Sequence, residues 1–238
     1  MLAARRVRAQ ISPVTDEPQY TERRLTTART ARLGVIGTLS PSTTDIWIAL
    51  HGYGQLAGQF AASARWPGAP HRAFVFPEAL QRFYDAGPAV SHAAAPVGAS
   101  WMTREARDDD IADNHAYLDA VARHVMEAAP SAALTAFGFS QGTATITRWA
   151  ERRILAGAPP RRLVLWGGEL PQDVDLGQSA PLRRVPVILV YGTRDQWATP
   201  DRVSAERQRL SAAAFPVTLH TFEGGHRLDD ALLAAIAG

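Results

Sequence analysis

The chain has 238 residues, 46% of them hydrophobic and 20% charged, and its 25 basic and 23 acidic residues leave a net charge of +2. A chain of this size can bury a core of its own, and so even a charge balance, spread as single Arg residues or pairs such as Arg152-Arg153, excludes the clustered basic face of a nucleic-acid binder. Cys and Lys are both absent, which excludes disulfides, thiolate metal sites, a Cys nucleophile, Schiff-base chemistry and a Walker lysine.

Residues 1–18 read as a loose lead-in with mixed composition. The Arg-rich start, Met1–Gln10, lacks the apolar stretch and cleavage site of a signal peptide, and no apolar run reaches the roughly 18 residues of a membrane span. The expectation is a cytoplasmic protein without stable membrane insertion. Tyr20–Leu39, rich in Thr and Arg and followed by Pro41, predicts an N-terminal hairpin.

Five short apolar runs follow in chain order: Ile46–Leu50, Ala73–Phe76, Leu134–Phe139, Leu163–Trp166 and Pro186–Tyr191. Continuous runs of this length suit strands buried on both faces, as in a parallel sheet. Helical patterns lie between and after them, at Ala57–Arg65, Asp108–Glu127, Thr143–Ala156, Pro200–Leu210 and Asp229–Ile236. In the second, Ile111, His115, Leu118, Val121 and Val125 recur at three- and four-residue spacing. The alternation predicts one α/β domain over 1–238, with a mainly parallel sheet and helices on both faces. Glu78–Arg107 interrupts it with a long Ala-, Gly- and Pro-rich stretch that holds Phe83, Tyr84, Trp101 and Met102. Connections of that length in a compact domain usually serve function, so 78–107 is read as a lid-like pocket loop.

Gly138-Phe139-Ser140-Gln141-Gly142 fits G-x-S-x-G at the junction of a predicted strand and helix. That junction lifts a serine clear of the sheet and aims the positive helix end at developing negative charge. A serine hydroxyl needs a base, and in this architecture the acid and then the histidine follow the nucleophile. His226, in Glu223-Gly224-Gly225-His226, is favoured over His220, which sits in an alternating strand-like run. Asp195, in the turn after Pro186–Tyr191, is favoured as the acid over Asp173, Asp175 and Asp201. The backbone amides of Gln141 and of Tyr53, within His51-Gly52-Tyr53-Gly54, are the expected oxyanion donors. His51 reads as a structural hydrogen-bonding residue. Trp101 and Trp197 are expected to wall a substrate pocket.

Other chemistries fit poorly. Gly52, Gly54 and Gly58 mimic a dinucleotide fingerprint, but their spacing is one residue too long. His115 and His124 stand nine residues apart on one predicted helix and match no metal-ligand pattern. No cofactor and no metal are expected.

With these motifs, the chain resembles the phospholipase/carboxylesterase group of α/β-hydrolases, which includes acyl-protein thioesterases. The resemblance rests on His51-Gly52-Tyr53-Gly54, on Gly138-Phe139-Ser140-Gln141-Gly142, on Asp195 after its strand and on Gly224-Gly225-His226, and it spans about residues 45–238. Val97–Arg104 is similar to a bacterial branch of the group. The resemblance implies an α/β-hydrolase fold, and the Glu78–Arg107 excursion is too short for a large separate cap. It implies a Ser140, Asp195 and His226 triad, with Tyr53 and Gln141 at the oxyanion hole, that hydrolyses esters or thioesters without cofactor or metal. Two departures bear on substrate preference: Gln55 stands where the family commonly has an acid, and Tyr53 replaces a smaller aliphatic residue. The resulting expectation is a carboxylesterase for small-molecule esters of small to medium acyl chains. The same triad could serve a thioesterase, a lysophospholipase or an acyl transfer to an alcohol or peroxide, and a binding protein with a silent site is the non-enzymatic alternative. A homodimer is left open.

Overall fold

The structure is a computed structural model that describes residues 20–86, 90–91 and 93–238; the predicted lead-in lies outside them. The chain divides into two units, Met1–Thr30 and Ala31–Gly238. The described part of the first, residues 20–30, is exposed and carries neither helix nor strand.

The second unit is built on a seven-stranded sheet. Its strands are β1 (Leu33–Ile36), β2 (Asp45–Leu50), β3 (Arg72–Pro77), β6 (Ala133–Phe139), β7 (Arg162–Trp166), β8 (Val187–Gly192) and β9 (Thr218–Phe222), in the spatial order β1-β3-β2-β6-β7-β8-β9. Only β1 runs antiparallel, on β3; every other pair is parallel. β4 (Gln81–Tyr84) and β5 (Val97–Ser100) form a separate antiparallel pair with Gln81 opposite Ser100. The helices are α1 (Ala57–Ala62), α2 (Arg107–Ala128), α3 (Gln141–Leu155), α4 (Pro200–Ala212) and α5 (Asp230–Ala237).

Side chains alternate across the strands and divide the core in two. Ile46, Ile48, Leu50, Leu163 and Leu165 pack in one cluster with Leu118 and Val125 of α2 and Ile146 and Trp149 of α3. Trp47, Ala49, Phe137, Val164 and Trp166 pack in another with Phe60 of α1 and Leu233 and Ile236 of α5. Both faces are therefore covered, which is why β2 is buried at all six positions and reads, after Asp45, as the continuous apolar run Ile46–Leu50. Helix starts follow local chemistry. Asp108, Asp109 and Asp110 sit in the first turn of α2, where acids suit the helix dipole. The Asp229 carboxylate accepts the Leu232 amide at the start of α5 at 3.0 Å.

Two expectations are corrected. No N-terminal hairpin forms: within Tyr20–Leu39 only Leu33–Ile36 is a strand, and its partner is β3. The Arg- and Thr-rich residues before it lack an apolar face to bury. The stretch 78–107, expected to be a lid-like pocket loop, is not loop throughout. It contains the β4–β5 ladder and returns to a buried Trp101 before α2.

Candidate active site

Ser140 stands between β6 and α3 with φ 53° and ψ −120°, a strained backbone for a residue with a side chain. Its amide donates to the Trp166 carbonyl at 2.9 Å, and its carbonyl accepts the Thr143 hydroxyl at 2.7 Å. The flanking glycines are demanded by contact. A Cβ on Gly138 would lie 2.5 Å from the Gly142 carbonyl oxygen, and one on Gly142 would lie 2.6 Å from that of Leu50. The strand, the turn and the helix can close this tightly only with both positions bare.

Asp195 and His226 are brought into direct contact, Asp195 Oδ2 lying 2.7 Å from His226 Nδ1. The turn after β8 and the loop after β9 are tied together by the Thr193 amide to the Phe222 carbonyl, 2.9 Å, and the Arg194 amide to the Gly224 carbonyl, 2.8 Å. The Asp195 side chain is 1% exposed. Its second oxygen accepts the amides of Trp197, 2.8 Å, and Ala198, 3.0 Å. A carboxylate anchored this way accepts Nδ1–H, which leaves Nε2 as the basic nitrogen. The His226 ring packs on Phe139 at 4.8 Å, and its Cε1 edge lies against Gly167, where a Cβ would stand 3.1 Å away. Both Phe139 and Gly167 flank the Ser140 turn. Among the described residues the Ser140 side chain makes no hydrogen bond, to His226 or elsewhere; such bonds commonly tighten when substrate arrives.

The competing residues are engaged elsewhere. His220 lies within β9 opposite Val190. Asp173 is held by Arg148 at 2.7 Å and by Arg107 at 3.2 Å, which keeps its carboxyl well below the usual carboxylate range. Asp175 caps its own turn through the Gly177 amide, and Asp201 sits in the first turn of α4.

Tyr53, 61% exposed, lies in the turn between β2 and α1 with its ring stacked on Phe83 at 5.2 Å. The turn is braced on either side of it. The Gly52 amide donates to Gln55 Oε1 at 2.9 Å, and the Gly54 amide to the Ala99 carbonyl at 2.9 Å. Gln55 thus supplies an acceptor where the family commonly places an acid. His51 is fully buried; its Nδ1 donates to the Gly52 carbonyl at 2.7 Å and its Nε2 accepts the Ala79 amide at 3.1 Å. Burial holds its imidazole below the ordinary value, so the neutral ring serves as a brace. Gln141 opens α3, where a first-turn N–H has no partner within the helix.

The two tryptophans part company. Trp197 is 61% exposed and lines a cavity of about 340 Å³ together with Ser140, Gly168, Leu170 and Arg202. Trp101 is 1% exposed and spends its indole N–H on the His51 carbonyl at 2.8 Å. The expected pocket-wall role of Trp101 is therefore corrected to one inside the core. Sequence reasoning also missed Glu169 and Arg202, which join at 2.9 Å on the cavity wall; nothing in their local sequence marked them. Among the described residues no cluster of His, Asp or Glu could hold a metal ion, and no helix is long and apolar enough to cross a membrane.

Residues 35–238 match the family model described as phospholipase/carboxylesterase. The chain belongs to the phospholipase/carboxylesterase family. It is a serine hydrolase of esters with an α/β-hydrolase fold, as the resemblance implied.

Solved structures agree with the family on fold. Zea mays acyl-protein thioesterase 2 is similar with a TM-score of 0.61 at 19% identity, over 87% of this chain and 96% of that one. Esterase PE8 has a TM-score of 0.58 at 21% identity, over 87% and 96%. A Bacillus cereus carboxylesterase has a TM-score of 0.59 at 15% identity, over 87% and 91%. No curated protein sequence matches the chain. A phospholipase/carboxylesterase-family chain this far from its neighbours must be read for substrate from its own residues.

Proposed function

We propose that this chain is a serine carboxylesterase for esters of small to medium acyl chains, with Ser140, His226 and Asp195 as its triad. Ser140 Oγ attacks the ester carbonyl carbon while His226 Nε2 takes the hydroxyl proton. Asp195 holds the ring by Nδ1 and stabilises the imidazolium. The carbonyl oxygen becomes an oxyanion and accepts the amides of Tyr53 and Gln141. Collapse expels the alcohol, which takes the proton from His226 and leaves an acyl-Ser140 ester. Water, deprotonated by His226, attacks that ester, and collapse frees the acid while His226 returns the proton to Ser140 Oγ.

The observation that carries this reading is the 2.7 Å contact of a doubly anchored Asp195 with His226, beside a strained Ser140 turn. The chain-length reading rests on the cavity of about 340 Å³, whose wall includes the Glu169–Arg202 ion pair. A charged wall of this kind disfavours a long alkyl tail. Hydrolysis of nitrophenyl esters from acetate to palmitate tests it, with acyl thioesters run in parallel. Wild type should prefer acetate to hexanoate, and Ser140→Ala should lose turnover on all of them. A preference for palmitate or for the thioesters would replace this substrate reading.

A further inference from the structure

Both oxyanion donors are backbone amides on elements far apart in the chain, and a displacement of either by a fraction of an ångström would weaken transition-state binding. Tyr53 sits on a turn flanked by glycines, and its largely exposed ring stacks on Phe83 of β4, a contact without the direction of a hydrogen bond. We infer that Trp101 and the Gln141 side chain are positioning residues that join the two donors through the segment Ala99–Met102. The inference rests on the proposed assignment of the Tyr53 and Gln141 amides.

The segment grips the Tyr53 turn at two points. The Ala99 carbonyl accepts the Gly54 amide at 2.9 Å, and the Trp101 indole N–H donates to the His51 carbonyl at 2.8 Å. The indole also packs on the His51 ring at 5.0 Å. The same few residues grip Gln141. Its Oε1 accepts the Trp101 amide at 3.0 Å, and its Nε2 donates to the Met102 carbonyl at 2.8 Å and to Ser100 Oγ at 3.1 Å. From behind, buried Asn114 of α2 donates to the Trp101 carbonyl at 2.6 Å.

The chemistry explains the residue types. Holding Gln141 by its side chain needs an acceptor and a donor in one planar group, which an amide supplies and a carboxylate does not. With both ends engaged, that side chain orients the first turn of α3 and leaves substrate to the backbone. At position 101 only an indole fills the aromatic site and still carries an N–H. The strand pair β4–β5 thus ends in a clamp on the reaction centre.

The test compares Trp101→Phe, Gln141→Met and Gln141→Glu with wild type on nitrophenyl butyrate, each well below its own Tm. A trifluoromethyl ketone, whose adduct with the nucleophile carries an oxyanion, reads the hole directly. The inference predicts a fall in kcat of about 10- to 100-fold in each variant, with KM within twofold. The ketone should weaken by the same factor as kcat/KM. Should Trp101→Phe fail to fold, the variants at partly buried Gln141 decide. Values of kcat within twofold of wild type, or a loss confined to KM or Tm with unchanged ketone affinity, would overturn it. Inactivity of Ser140→Ala keeps the underlying triad reading separate: if Ser140→Ala still turns over, that reading fails; if only the positioning variants behave as wild type, this inference alone fails.

Discussion

Asp195 Oδ2 lies 2.7 Å from His226 Nδ1 while Asp195 Oδ1 accepts two backbone amides, so one carboxylate both anchors its own turn and orients the ring. Asp195→Asn keeps the shape but offers an amide where the ring needs an acceptor. The expected outcome is a fall in kcat of about 10²–10⁴-fold with a modest change in KM, read from steady-state ester hydrolysis at constant pH.

The Ser140 backbone stores strain at φ 53° that a glycine would not feel. Ser140→Gly should be inactive yet more stable than Ser140→Ala, by about 1 kcal/mol, measured by urea unfolding. Equal stability of the two would show that the turn is not strained.

Arg202 and Glu169 close one side of the cavity with an ion pair at 2.9 Å. Removing both charges in the double variant Arg202→Ala/Glu169→Ala should widen the cavity and lower its polarity without leaving a lone carboxylate on its wall. The ratio of hexanoate to acetate turnover is expected to rise several-fold, with the acetate rate changed little.

Burial holds the His51 imidazole below its ordinary value of 6.5, and that of His115 is lowered in the same sense. The folded state therefore binds fewer protons than the unfolded chain as pH falls through 6.5. The contribution of these rings is fully present above that pH and is lost toward their lowered folded values. Wild-type Tm should decline between pH 7 and pH 5, and His51→Asn should show a shallower decline. An unchanged slope in the variant would remove His51 from this account.

The three positions proposed as the triad stand out in the sequence because each depends on local pattern: a strand, a tight turn and a following helix around Ser140, and turns after strand-like runs at Asp195 and His226. The strands β2, β3, β6, β7 and β8 were legible for the same reason, since burial on both faces writes a continuous apolar run. Trp101 was misread because its role is set by His51, fifty residues away, and by a β4–β5 ladder that no periodicity announced. Leu33–Ile36 was read as part of a hairpin because strand propensity says nothing about the partner, here β3. Arg202 and Glu169 meet only through the tertiary fold.

The most direct test of the central claim is covalent labelling of the folded protein with a fluorophosphonate, followed by mass spectrometry of its peptides. The account predicts one adduct, on Ser140, that disappears in Ser140→Ala and forms far more slowly in His226→Ala. No adduct, or an adduct on a different residue with esterase activity lost in step, would contradict it.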